Sequence, residues 1–229
     1  MLIFLDVETT GLEIDDKICS IGMVTIEDEI ITTLYELVNE GKKISPKASS
    51  INHITNEMIK AKPKLKDSDI YKFLEKHNSV TTTIIGHNVN FDLERLSAAG
   101  FIYKGNIIDT LRVSKHLIPE CESYSLQFLR YELKLYKNEV EKITAHNAIS
   151  DALVVKMLYD YLLDIKTKDE MCELSFKKVL LEKFEFGKYS GKYIEEICMN
   201  DRGYLDWMMS QVVDLDEDLR YSIDYYLRG

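Results

Sequence analysis

Apolar positions follow strand periods in the first part of the chain and helical periods later. Residues 2–8 open on the run Leu2-Ile3-Phe4-Leu5 and end in acids, which predicts a strand covered on both faces. Asp15-Asp16 marks a turn. The stretches Ile18 to Ile26 and Ile30 to Val38 are separated only by Glu27-Asp28-Glu29. So short a link predicts antiparallel neighbours, and hence a three-stranded meander. Ile70, Phe73, Leu74 and His77 stand at helical spacing, with Asp67 or Ser68 as the cap. The β-branched stretch Thr81 to Ile85 predicts a fourth strand ending at Gly86. Asn90 is expected to cap a helix that stops at Gly100, and Asn106 to Asp109 reads as a short fifth strand. Helices are predicted over Thr110 to Leu117, Ser125 to Leu133 and Ile149 to Leu163.

Strands first, then helices alternating with strands, indicate an α/β chain: a mixed five-stranded sheet flanked by helices. The pattern breaks near Thr167 to Glu170. This separates a domain over residues 1–168 from a small C-terminal segment over 171–229. The segment carries a turn-rich stretch, Phe186-Gly187-Lys188-Tyr189-Ser190-Gly191-Lys192, and a helical stretch around Tyr204 to Met209.

With 229 residues, 45% hydrophobic and 30% charged, the chain has apolar material for a real core. The net charge of −10 argues against a strong nucleic-acid binder, since phosphate contacts call for Lys and Arg. It leaves room for an enzyme that grips a strand end through cations held by acids. The lysines at Lys42, Lys43 and Lys47, from Lys60 to Lys66 and from Lys177 to Lys192 read as solvated surface. Cys19, Cys121, Cys172 and Cys198 form no paired motif, which argues against zinc or a disulfide framework and fits a reducing cytoplasm. The opening residues lack the basic lead of a signal peptide, and no run approaches the ~18 apolar residues of a membrane span. No membrane partner is expected.

Asp6 and Glu8 are two apart on a predicted strand, so both carboxylates face the same way. Two acids on one face of a buried strand call for a cation. No basic residue occurs in the first sixteen positions; a distant Lys or Arg and a metal ion remain alternatives. Asp92 and Asp151 each sit near a helix start, where an acid also suits the helix dipole. His146, taken alone, reads as structural or exposed. Taken together, the strand pair, the acid after the fourth strand and the His-x4-Asp before the last long helix would gather four carboxylates and an imidazole at one sheet edge. Hard oxygen donors select Mg²⁺ or Mn²⁺ over zinc, and such a site suits two-metal hydrolysis of phosphodiesters.

Three blocks, FLDVETTGL at 4–12, GHNVNFDLERL at 86–96 and HNAISDA at 146–152, resemble the DnaQ-like (DEDDh) 3′→5′ exonucleases. INHIT at 51–55, IDTL at 108–111 and YSLQFL at 124–129 agree more weakly, and the likeness spans roughly residues 1–165. The resemblance implies an RNase H-like fold and release of nucleoside 5′-monophosphates from the 3′ end of a strand. It implies Asp6, Glu8 and Asp151 as ligands of one ion, with Asp6 bridging to a second that Asp92 supports through water. His146 is implied as general base. The main chain of Thr9, Thr10, Gly11 and Leu12 would hold the terminal 3′ hydroxyl, with Asn88 and Phe91 beside the terminal nucleotides. Phe91 suits base stacking or core packing equally. Many relatives carry His-Gly where this chain has Asn52-His53, so the resemblance implies no nucleotide contact at that point.

FGKYSGK at 186–192 and DRGYLDW at 201–207 resemble the C-terminal segment of exonuclease X-type proteins. Lys188, Lys192, Tyr189 and Tyr193 could touch a DNA backbone, but a small packing module is the favoured reading. The expected partner is a single-stranded or frayed 3′ end of DNA. RNA-directed relatives of the oligoribonuclease or ribonuclease T type share the chemistry. A proofreading subunit and a catalytically silent binding protein complete the alternatives.

Overall fold

The computed structural model describes residues 1–139 and 143–228. β1 (Leu2–Thr9) runs antiparallel to β2 (Ile18–Glu27), which runs antiparallel to β3 (Ile30–Leu37), as the meander predicts. On its other side β1 pairs in parallel with β4 (Thr83–Gly86), and β4 with β5 (Asn106–Asp109). The order is β3-β2-β1-β4-β5, the expected mixed sheet of five strands. β4 starts two residues later than predicted. Thr82 belongs instead to a turn, its hydroxyl donating to the His77 carbonyl at 2.7 Å.

Alternate residues of β1 feed two cores. Ile3, Leu5 and Val7 pack with Ile21, Met23, Leu74, Ile84 and Leu96. Phe4, on the opposite face, packs with Val24, Ile85, Val155, Leu158 and Tyr159. Asp6 and Glu8 share Phe4's face by the same period.

Helices surround the sheet. α1 (Pro46–Asn52) starts with a Ser45 cap and a proline at its first position, and α2 (Asn56–Ile59) follows a Thr55 cap. Neither short helix is predicted from the apolar pattern. α3 (Asp69–Lys76) takes Ser68 as its cap, one of the two expected residues. α4 (Val89–Ala98) begins before Asn90; the capping position is Asn88, in the left-handed region at φ 64°. The expectation for Asn90 is therefore corrected: the tight β4–α4 turn starts the helix earlier and puts Asn90 inside it. α5 (Thr110–Leu117), α6 (Leu126–Glu132) and α7 (Ala148–Leu163) match their predicted spans closely. α7 is nearly apolar all round because it lies across the sheet on Phe4's face.

The stretch Thr167 to Glu170, where a break is expected, caps and begins α8 (Lys168–Leu174), its two end residues forming a capping box. Met171 of α8 still packs into the sheet's second core. Beyond it, bridges Lys183–Tyr193 and Phe184–Ser190 bracket the turn-rich stretch. α9 (Ile194–Asn200), α10 (Arg202–Gln211) and α11 (Glu217–Arg228) enclose a separate core of Phe184, Ile194, Leu205, Met208 and Ile223. This core meets the sheet domain through Arg112 on α5, whose guanidinium donates to both Asp218 oxygens at 2.8 and 3.1 Å. The same carboxylate accepts from the buried Val179 amide at 2.9 Å.

Candidate active site

The end of β1, the first turn of α4 and the first turn of α7 converge on one cleft of about 430 Å³. Asp6, Glu8, Asp92, Asp151, His146, Asn88 and Phe91 all line it. Asp6, Glu8 and Asp151 each offer an oxygen within 4.8 Å of the others. Asp92 is buried beside them, with one oxygen accepting from the Val7 amide at 2.9 Å. Its other oxygen carries no hydrogen bond among the described residues.

This cluster is electrostatically costly without a cation. Burial, then the charges of Asp92, Asp151 and Glu8, push Asp6 well above the usual carboxylate range. Burial, only partly offset by the Val7 amide, does the same for Asp92. Glu8 is pushed up to about 7 by burial and Asp151, against a hydrogen bond from Asn52. Asp151 rises through burial, moderated by Gln127 and His146. Among the described residues no lysine or arginine forms an ion pair with any of the four. The distant basic residue left open by the sequence is therefore not seen, and oxygen-only donors with uncompensated charge fit a hard divalent cation.

The ligand-bearing elements are fixed by specific contacts. Gly22 stands opposite Asp6 in the β1–β2 register, and a Cβ there would lie 2.3 Å from the Ala148 carbonyl carbon and the Ile149 nitrogen. Only glycine lets α7 approach β2 so closely. His146 lies at the exposed lip of the cleft just before α7, with φ 57°. Asn147 caps α7 and donates its amide to Asp151 at 3.2 Å.

The β1–β2 loop forms a second wall. The Thr9 hydroxyl donates to the Gly11 carbonyl at 2.6 Å, and the Thr10 hydroxyl to buried Asp16 at 2.7 Å. Burial opposes the Asp16 charge, but Lys42, Thr10 and the Glu13 amide together hold its pKa below the usual value. Lys42, expected as solvated surface, instead bridges Asp15 and Asp16 at 2.9 and 2.8 Å. Leu12 is 74% exposed. Thr9, Thr10, Gly11 and Leu12 border an adjoining basin of about 490 Å³ that also reaches Lys43, Lys47 and Asn52.

Arg95 donates to the Glu13 and Ile14 carbonyls at 2.9 and 3.2 Å and lies 4.9 Å from the Phe91 ring. Phe91 is half-buried: it packs on the sheet's first core and faces the cleft, so both of its readings hold geometrically. Asp109 at the end of β5 accepts from the Asn88 amide at 3.0 Å, which secures the left-handed turn.

Several contacts of the site escaped sequence reasoning. Buried Asn52 donates to the Thr9 carbonyl at 3.2 Å, tying α1 to the site. Burial pushes His87 down to about 4; its Nε2 lies 2.7 Å from the Tyr124 carbonyl and therefore carries the proton. Gln127 donates to Asp151 at 2.7 Å. His87 and Gln127 lie inside the blocks 86–96 and 124–129, the one signal that could have marked them.

Residues 3–159 match the family described as Exonuclease. The chain belongs to the exonuclease family. Within it, residues 184–213 match the Exodeoxyribonuclease X-like C-terminal family. This exonuclease is 29% identical to Exodeoxyribonuclease 10 of Escherichia coli (strain K12) over 235 residues, covering all of both chains. It is 33% identical to the DNA polymerase III subunit epsilon of Treponema pallidum (strain Nichols) over 165 residues, 67% of this chain and 72% of that one. Its fold matches a solved structure of Exonuclease X in complex with 5′ overhanging duplex DNA. The TM-score is 0.64 at 27% identity, over 76% of this chain and 99% of that one. The DnaQ-like resemblance and the RNase H-like mixed sheet are thereby borne out. Among the described residues no helix is long and apolar enough to cross a membrane.

Proposed function

We propose that the protein is a metal-dependent 3′→5′ exodeoxyribonuclease that releases nucleoside 5′-monophosphates from an unpaired 3′ end of DNA, with Mg²⁺ or Mn²⁺ as its cofactor. The observation that carries this reading is the meeting of Asp6, Glu8 and Asp151 within 4.8 Å in a cleft shared with Asp92 and His146. The DNA preference rests on the exodeoxyribonuclease and polymerase subunit among its relatives.

Bound by Asp6, Glu8 and Asp151, with Asp92 in support, divalent cations would polarise the phosphoryl group and stabilise the departing 3′ oxygen. His146, at the solvent side of the cleft, takes the proton from the attacking water. The main chain of Thr9, Thr10, Gly11 and Leu12 receives the terminal 3′ hydroxyl in the adjoining basin. Asn88 and Phe91 border the path of the terminal nucleotides, with the Phe91 ring offering a face to a base. Residues 1–168 form the exonuclease domain in this reading, and 171–229 an accessory segment. Four unpaired cysteines suit a reducing, cytoplasmic setting.

The test is digestion of a 5′-labelled single-stranded DNA and an RNA of matched sequence, each with Mn²⁺ and with EDTA. A ladder of shortening products on DNA, abolished by EDTA, is expected. Intact DNA in Mn²⁺ contradicts the proposal, and faster loss of the RNA reassigns the substrate.

A further inference from the structure

We propose that Gln127 and Arg130 are positioning residues that fix the orientation of the Asp151 carboxylate for a divalent cation. This rests on the metal-site reading above. Both residues lie on α6, three apart and therefore on one face. Gln127 Nε2 donates to Asp151 Oδ1 at 2.7 Å, and its Oε1 accepts from Arg130 NH1 at 2.9 Å. The other side of the Arg130 guanidinium donates from Nε and NH2 to Glu139 at 2.6 and 2.8 Å. Arg130 is 6% exposed, so this is an interior relay rather than a surface pair.

The relay has a direction. An amide can turn over, exchanging its donor and acceptor ends. Turned over here, Gln127 would face Asp151 with an oxygen and Arg130 with an N–H, placing two acceptors and then two donors in contact. Arg130 therefore locks the amide so that only its NH2 group meets Asp151. Glu139 in turn absorbs the guanidinium charge at a bidentate contact. Asp151 thus meets an amide dipole rather than the guanidinium, so no ion pair competes with a cation for it. Its Oδ2 accepts from the Asn147 amide at 3.2 Å, so both oxygens are anchored from the protein side. Hydrogen bonds that orient a metal-binding carboxylate typically govern affinity by ~10–100-fold.

The relay also connects two segments that the mechanism needs. Glu139 precedes the stretch leading to His146, and Asp151 follows it on α7. Arg130 holds the first while Gln127 holds the second, so the two ends of that stretch are referred to the same helix.

The experiment measures Mn²⁺ binding by calorimetry and by the Mn²⁺ concentration giving half of the metal-induced rise in Tm. The proteins are wild type, Gln127→Ala, Arg130→Met/Glu139→Gln and the triple variant. Arg130 and Glu139 are replaced together so that no buried charge is left unpaired. Gln127→Ala is expected to weaken Mn²⁺ binding by about 10-fold or more. Its KM for an oligonucleotide at saturating Mn²⁺ should stay that of wild type, which separates loss of ligand orientation from general loosening. The Arg130 pair should weaken binding in the same direction, and the triple variant should be no weaker than Gln127→Ala, because the effects pass through one amide. Wild-type affinity in Gln127→Ala, or additive losses in the triple variant, overturns the proposal. A wild-type protein that binds no Mn²⁺ would instead refute the metal-site reading beneath it.

Discussion

Replacing Gly22 by alanine tests how closely the site depends on the approach of α7 to β2. The added Cβ would lie 2.3 Å from the Ala148 carbonyl carbon and Ile149 nitrogen and 2.5 Å from the Ala148 oxygen. These are backbone atoms of α7's first turn, so no side-chain rotation relieves the clash. Ordinary contact begins at 3.4 Å, so strand and helix must separate by about 1.1 Å. Asp6 faces Gly22 across the strand pair, and Asp151 lies in the same first turn of α7. The separation therefore acts directly on the distance between two proposed cation ligands. A misplacement of ~1 Å commonly lowers rate ~100-fold, equivalent to ~2.7 kcal/mol at ~1.36 kcal/mol per decade. Overpacking of this kind also costs ~1–3 kcal/mol of stability. The assay is steady-state digestion of a 5′-labelled oligonucleotide at saturating Mn²⁺, run well below the Tm of the variant. A folded Gly22→Ala protein with kcat within threefold of wild type would refute the reasoning.

Other variants probe separate parts of the account. His146→Ala should slow turnover by ~10²–10⁴-fold while keeping the Mn²⁺-induced rise in Tm, and wild-type turnover would remove it as the base. Glu8 has a raised pKa, so its favourable contribution is present below its ordinary 4.5 and is lost as pH rises towards about 7. Glu8→Gln should then stabilise the chelated protein at pH 8, by on the order of 3 kcal/mol, and match wild type near pH 4.5. Equal Tm values for the two proteins at pH 8, measured by calorimetry, would contradict this. Asp218→Ala strips Arg112 of its partner and leaves the Val179 amide unmet, so chemical denaturation should show a loss of about 3 kcal/mol. A loss under 1 kcal/mol would mean that this contact contributes little to docking the C-terminal core.

The meander, the apolar α7 and the shared face of Asp6 and Glu8 were legible because each follows from a short period in the sequence. The meeting of these acids with Asp92 and Asp151 was legible only when the separate motifs were read together, since neither acid alone exceeds a helix-start preference. α1 and α2 carry cap residues, Ser45 and Thr55, but their four to seven residues give no apolar stripe to detect. The start of α4 was misread because Asn88 and Asn90 are both asparagines, and the contact that decides between them comes from Asp109, twenty-one residues beyond Asn88. Leu219, Ile223 and Tyr226 stand at helical spacing in α11, so that helix could have been read. Gln127 and Arg130 share a face of α6 by helical spacing, but their links to Asp151 and Glu139 follow no sequence period. A polar side chain on α6 meeting an acid on α7 leaves no local trace.

The central claim is that Asp6, Glu8 and Asp151 hold a divalent cation. Crystals grown with Mn²⁺ and measured at a wavelength sensitive to manganese locate the ion directly. The account predicts anomalous density bounded by these three carboxylates, lost in Asp6→Asn. Manganese bound elsewhere, with the three carboxylates unliganded, would contradict it.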